Sequence, residues 1–386
     1  MQRVEGREEA AVWGIILAGT YHWGPSPFER ILRGPLLPVA QVPLICYPLQ
    51  WLREGGVRCA TICANSSTHA VRDYLGGGDR LAMHLEYYED HAPRGAAGCV
   101  RDAGSGVAAD TFVIVEGALI PSVNIRELLR THRQSGAAIT ALVEIDRRRN
   151  GMAGEQPRIP GGVYVFDRRT FDAIPANGFQ DIKEGLLERL HQAGERVVAH
   201  EVAGVAPRVL NFATYTAVNR WAIERTLREP CVLEGYVRTG DALRHPTAHI
   251  DPRARLVGPV LIGPRSRIME RAVIVGPTTI GADCQIGAGA LVSRSALWDR
   301  CSVAPGAMVD NSVLADEAAL EQDEMLAGTV KLPSVSGGWS ALTALPEHVL
   351  RPPVPPSKLL RMARGTRRLA SLAVSLPIGR SSGEAV

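Results

Sequence analysis

From Ile250 onward an aliphatic residue returns at every sixth position without a miss: Ile250, Leu256, Ile262, Ile268, Ile274, Ile280, Ile286 and Val292. Four places after each stands a second series, Ala254, Val260, Ser266, Ala272, Thr278, Cys284, Ala290 and Ala296, nearly all small or weakly polar. An α-helix repeats every 3.6 residues and a strand every two, so neither alone produces a period of six. A parallel β-helix does, with three short faces and about eighteen residues per coil. Aliphatic side chains stack in ladders inside it, and small residues fit where the chain turns a corner. Gly281 and Gly287 fall in such turns. The phase slips after Val292, and Leu297, Val303 and Val309 then carry the spacing on. We expect about four coils.

The first half follows a different pattern. Val12–Leu17, Val57–Cys63, Thr111–Glu116, Ala138–Glu144 and Gly162–Phe166 read as strands, the first and third as runs buried on both faces. Between them Pro43–Arg53, Thr68–Leu75 and Ile125–Ser135 read as helices, the last with Gly136 as its C-cap candidate. Asp146–Pro160, rich in Arg and Gly, reads as an exposed loop, and Thr216–Leu227 as the last helix of this part. Strand–helix alternation implies an α/β, Rossmann-like domain with a mostly parallel sheet and ligands at the carboxyl ends of its strands. The expected division is residues 10–230 for this domain, 245–330 for the β-helix, and 331–386 for a Pro-rich linker and basic tail.

Composition narrows the classes. Across 386 residues the formal net charge is only +3, which gives no reason to propose nucleic acid as a partner. No apolar run approaches the ~18 residues needed to span a bilayer. Met1–Glu9 is polar and partly acidic, unlike a secretory signal, so a cytoplasmic protein is expected. The seven cysteines are scattered without a CxxC pair, which suggests neither a disulfide framework nor a zinc site. In the tail, residues 357–376 combine Lys358, Arg361, Arg364, Arg367 and Arg368 with leucines, and Gly365 interrupts them. This segment reads either as a solvated tail or as an amphipathic helix for an anionic membrane surface or a partner groove.

At Leu17–Val39 the stretch Leu17-Ala-Gly-Thr-Tyr-His-Trp-Gly-Pro-Ser-Pro27 … Pro35-Leu-Leu-Pro-Val39 resembles the signature of the sugar-1-phosphate nucleotidylyltransferases. The mannose-1-phosphate guanylyltransferase and glucose-1-phosphate nucleotidyltransferase group is the nearest in pattern. Gly95-Ala-Ala-Gly98 resembles the family's nucleotide-contacting turn, and Phe112-Val-Ile-Val-Glu-Gly117 its F-L-V-L-N-G-D strand. Leu128–Ala137 resembles the following helix, and Gly161-Gly-Val-Tyr-Val-Phe166 the later N-x-G-I-Y-x-F strand. The likeness covers roughly residues 12–328 and implies a nucleotidyltransferase domain followed by a left-handed hexapeptide β-helix, a common attachment in this group. It also implies nucleotide contacts at Leu17, Ala18, Gly19, Gly95, Gly98 and Gly117, and a sugar contact at Gly162.

The departures fall on the chemistry. The family's loop glycines lie at Thr20 and His22, its phosphate-neutralising Arg at Gly24, its Lys at Gly34, and its Mg²⁺-binding Asp at Ala118. A later family aspartate lies near Arg208 or Asn211. Phosphoryl transfer depends on positioning and charge neutralisation, and one placed Arg can supply about 10³–10⁵ in rate. Three readings follow. The first is a catalytically impaired homologue that binds a nucleotide or nucleotide sugar, needs no cofactor, and assembles with itself or with an active nucleotidyltransferase. The second is an active, Mg²⁺-dependent enzyme whose cations are relocated to His22, Arg30 or Arg33, with Glu116 as a stand-in ligand on what strand alternation makes the wrong side. The third is a hexapeptide acyltransferase using His245 or His249 as general base.

Overall fold

Short β-branched runs flanked by glycine are built to be inner strands, and they are so used in the computed structural model, which describes residues 11–19, 34–90, 94–146, 157–228 and 235–333. In chain order the strands of the first half are β1 (Val12–Leu17), β2 (Pro38–Val39), β3 (Val42–Pro43), β4 (Cys59–Cys63), β5 (His84–Tyr88), β6 (Thr111–Glu116), β7 (Ile139–Ile145), β8 (Arg158–Asp167) and β9 (Val197–Ala203). All except the β2–β3 hairpin join one sheet in the order β5-β4-β1-β6-β8-β7-β9. Only β8 runs against its neighbours, so the sheet is mostly parallel, as the alternation requires. Ile15, Leu17, Phe112, Ile114, Ile139 and Phe166 form its core together with Ala97, Val100 and Ala103.

The helices Thr68–Leu75 and Ile125–Ser135 form where the pattern puts them. The second has both end signals: Asn124 Oδ1 accepts from the Arg126 and Glu127 amides, and Gly136 closes the helix at φ +63°. The helix expected from Pro43 begins instead at Cys46, because Pro43 pairs with Pro38 in the hairpin. The end of the expected Asp146–Pro160 loop is also strand, since Arg158–Pro160 pair with Val143–Ile145. Gly95–Gly98 is not a turn but the first part of a helix, Gly95–Gly104. A sequence this rich in glycine has low helical propensity, and its helix depends on burial of Ala97, Cys99 and Val100.

The described residues fall into two units, 11–19 with 45–207, and 34–44 with 208–333. The helix Phe212–Arg228, expected to end the α/β domain, groups with the hairpin and the β-helix in the second. A chain of polar contacts explains this. Trp298 Nε1 donates to the Tyr215 hydroxyl at 2.9 Å, which donates to Pro38 O at 2.8 Å. Asn219 Oδ1 accepts from the Ala40 amide at 2.8 Å, and Gln41 Nε2 donates to Ile280 O at 2.7 Å. Tyr215 and Asn219 are buried, so these bonds satisfy groups that would otherwise be orphaned.

The six-residue period is a parallel β-helix. Its three faces are stacked sheets of seven, five and five strands, which makes five coils on the shorter faces rather than four. Ile262, Ile268, Ile274, Ile280, Ile286 and Val292 are all fully buried in the ladder, while Ile250 and Leu256 in the first coil are partly covered. The phase slip has a simple origin. Ile262 stacks on Ile280 eighteen residues later, but Ile280 stacks on Leu297 after seventeen, and later coils keep seventeen. One corner residue is lost, and the inward ladder is preserved. The Pro-rich stretch 346–356 and the basic segment 357–376 lie outside the described residues, and none of the described helices is long and apolar enough to cross a membrane.

Candidate functional site

The carboxyl ends of β1 and β6 are adjacent and in register, Leu17 beside Glu116. Parallel strands end together, so the residues just beyond them meet. Ala18 and Gly19 both donate their amides to Cys63 O at 2.8 Å, and the Gly117 amide donates to Leu17 O at 2.9 Å. The approach is close. A Cβ on Gly117 would stand 2.7 Å from Ala18 Cα, and one on Gly19 would stand 2.9 Å from the Ala64 carbonyl carbon. Four of the expected nucleotide contacts, Leu17, Ala18, Gly19 and Gly117, are therefore brought together, and their glycines are required by backbone packing. The Ala18 and Gly19 amides are spent on the fold and are not free to receive a phosphate.

Position 118 is a buried methyl group, 7% exposed, directly after this packed turn. The carboxylate at the strand end belongs to Glu116. Alternation along β6 argued that it faces away, and the structure places it over the neighbouring strand β8, against Gly162. There Lys183 Nζ lies 3.3 Å from Glu116 Oε1. Gly162 has φ +69°, and a Cβ on it would stand 2.6 Å from Glu116 Oε2. The glycine expected at a sugar site is thus where the backbone makes room for a carboxylate held by a lysine. Lys183 is positioned by Asp181, whose Oδ1 accepts from the Lys183 and Glu184 amides at 2.7 and 2.9 Å and so caps the turn Ile182–Leu186.

Gly95 and Gly98 face a different neighbour. Gly95 has φ +82°, and a Cβ there would stand 2.4 Å from Gln180 O, while the Ala97 amide donates to that oxygen at 3.0 Å. The glycines let the helix Gly95–Gly104 dock against the segment before Lys183. Beneath the site, the Cys63 thiol is pushed well above its ordinary range by its hydrogen bond with Cys99 and by burial. A neutral thiol is neither a nucleophile nor a metal ligand.

Other expected residues fall elsewhere. Thr20, His22, Gly24, Arg30 and Arg33 lie outside the described residues. Gly34 belongs to the second unit, where at φ +37° it opens the turn Gly34–Leu36. Asn211 is occupied as a helix cap, its Oδ1 accepting from the Thr214 amide at 2.9 Å. His249 is exposed on the first coil, and His245 Nδ1 lies 2.8 Å from Thr247 Oγ1. Among the described residues no three His, Cys, Asp or Glu side chains are grouped as a metal ion would need.

Sequence reasoning missed Lys183. One signal pointed to it: the chain has only three lysines, Lys183, Lys331 and Lys358, among 43 basic residues. In a chain whose default cation is arginine, a lysine stands out as a compact point charge rather than a planar fork.

Residues 13–153 match the nucleotidyl transferase family model, and residues 256–338 match that of the GMPPB C-terminal domain. A mannose-1-phosphate guanylyltransferase of Mycobacterium tuberculosis is 23% identical over 268 residues, covering 64% of this chain and 74% of that protein. A glucose-1-phosphate thymidylyltransferase of Streptomyces antibioticus is 25% identical over 283 residues, covering 64% and 77%. A solved structure described as a glucose-1-phosphate thymidylyltransferase of Bacillus anthracis overlays with a TM-score of 0.47 at 20% identity, covering 55% of this chain and 95% of that one. Two successive segments of the chain thus match a nucleotidyl transferase model and a GMPPB C-terminal domain model, and the relatives it resembles include sugar-1-phosphate nucleotidyltransferases.

Proposed function

We propose that this protein binds a nucleotide or nucleotide sugar at the carboxyl ends of β1, β6 and β8 and does not turn it over, serving as a regulatory member of its family in the supply of polysaccharide precursors. The observation that carries this reading is the strand end after β6. Alanine occupies the place of the metal-binding carboxylate, and the nearby Glu116 is held by Lys183 over Gly162. Alanine has no donor or charge, so no rotamer change supplies a metal ligand there. The cation positions of the family pattern are Gly24 and Gly34, which likewise offer no side chain. Binding needs only surface and hydrogen bonds, whereas turnover needs charge neutralised at the reacting phosphorus.

The test is thermal unfolding with nucleoside triphosphates and nucleotide sugars, with and without Mg²⁺. A ligand that binds only the native state stabilises it by RT ln(1 + [L]/Kd), about 2.7 kcal/mol at one hundred times Kd. A nucleotide sugar that raises Tm without Mg²⁺ fits the reading, and no shift with any of these ligands overturns it. One observation favours the active-enzyme reading, in which Mg²⁺ is required: Lys183 places a cation at the strand ends, beside Glu116. If it serves a relocated reaction, Lys183→Ala abolishes pyrophosphate release; on our account there is none to abolish.

A further inference from the structure

Each coil of the β-helix presents three faces, and they are unlike. One is covered by the helix Phe212–Arg228 and the β2–β3 hairpin. A second points His249, Arg267, Gln285 and Ser302 outward and is polar. The third is built from Arg255–Val257, Val273–Val275, Leu291–Ser293, Met308–Asp310 and Met325–Ala327, whose middle residues face inward. The first residue of each strand points outward, so this face carries the ladder Arg255, Val273, Leu291, Met308 and Met325. Met308 and Met325 are 37% and 67% exposed, and Val257 on the same face is 48% exposed. Apolar side chains stacked outward across four coils are unusual on a solvated face.

Charge is sorted along the same axis. Residues 252–271 hold five arginines and one glutamate, whereas residues 301–330 hold six carboxylates and no Lys or Arg. Several charges at the two ends are spent within the chain, in Arg253–Glu270, Arg300–Glu317 and Lys331–Glu324. Arg255 and Arg271 at the basic end, and Glu321 and Asp323 at the acidic end, make no side-chain ion pair among the described residues. Arg255 ends the ladder, and the other three lie in the turns just before its Val273 and Met325 strands.

We infer that this face binds a second copy of the chain in an antiparallel two-fold arrangement centred on Leu291. A closed two-fold contact must be self-complementary, each patch meeting the same patch on the partner. Of the two ways to lay the face on itself, the parallel one sets arginines on arginines and carboxylates on carboxylates. The antiparallel one brings Arg255 and Arg271 toward Glu321 and Asp323 of the partner subunit. It lays Leu291 on Leu291 of the partner subunit, and Val273 on the partner's Met308. The charge gradient therefore selects the direction, the central rung fixes the register, and the apolar ladder supplies the dry centre. This inference does not depend on ligand binding at the strand ends.

The test is light scattering of the full chain at micromolar concentration, together with charge reversal. The wild type is expected to be a dimer. Glu321→Arg with Asp323→Arg, and separately Arg255→Glu with Arg271→Glu, each shift it toward monomer with an unchanged circular dichroism spectrum. Combining all four restores the dimer, because the ends are again complementary. Leu291→Cys joins two chains under a mild oxidant such as diamide: two thiols become one disulfide, and the diamide takes up the two electrons and two protons. The wild type under the same oxidant does not cross-link. A monomeric wild type, or a dimer that neither cross-links at position 291 nor responds to the reversals, overturns the proposal. Either result would leave the face to the chain's own residues 334–386 or to another protein.

Discussion

Replacing Gly162 by alanine isolates the feature on which the site is built. The added Cβ would stand 2.6 Å from Glu116 Oε2, where ordinary contact begins at 3.4 Å. The carboxylate is the far end of a flexible side chain, so it swings away and loses its 3.3 Å contact with Lys183. For a partly exposed pair that loss is up to about 1 kcal/mol. The backbone cannot move away so easily. At φ +69° an L-residue with a Cβ costs roughly 1–2 kcal/mol relative to glycine. The sum is about 2 kcal/mol, read as a lowered urea midpoint at constant slope. A double-mutant cycle separates the parts. In a Glu116→Ala background the clash is gone and only the backbone cost remains, so the coupling is about 1 kcal/mol. A loss below about 0.5 kcal/mol for Gly162→Ala, or strict additivity with Glu116→Ala, would refute the reasoning.

Three further outcomes are expected. His132 is buried beside Thr140 Oγ1, and burial lowers its pKa from 6.5 to about 4. The folded state thus resists the proton; stability is full above pH 6.5 and declines as the pH falls toward 4, by about 2 kcal/mol at pH 5. His132→Gln should flatten this part of the stability profile, and an unchanged slope counts against the assignment. Ile280→Ala, at a fully buried ladder position, should cost about 4 kcal/mol in chemical unfolding, and a loss under about 1 kcal/mol would mean the coils are not packed as described. For the basic segment 357–376, we expect the full chain to float with anionic liposomes and the chain lacking 357–386 not to; flotation unaffected by the deletion rejects the membrane role.

How much of this was legible beforehand differs by element. The β-helix was, because a ladder needs the same residue type at every rung, and even the slip after Val292 is visible as one missing corner residue. So were β1, β4 and β6, whose buried runs carry their own boundaries. Less visible were β5 and β9 at the sheet edges, where His84 and Glu86 or Glu201 and Ala203 are exposed and dilute the apolar pattern. The helix Gly95–Gly104 resembles a turn in sequence because its glycines report tertiary packing on Gln180 rather than local conformation. The helix Phe212–Arg228 reads as a helix, but periodicity does not say which core it joins. At the site, Gly117 and Gly162 stand out in local motifs, whereas their neighbours Glu116 and Lys183 lie 67 residues apart, and no local pattern couples them.

The central claim is that ligand binding has outlived the reaction. Its most direct test is pyrophosphate release by the purified full-length protein, supplied with Mg²⁺, each nucleoside triphosphate and each common hexose 1-phosphate. We expect none above the protein-free control, because glycine at positions 24 and 34 and alanine at position 118 offer neither the cations nor the carboxylate that phosphoryl transfer requires. Robust Mg²⁺-dependent release, abolished by replacing His22, Arg33 or Lys183, would contradict the account and show that the charges had moved rather than gone.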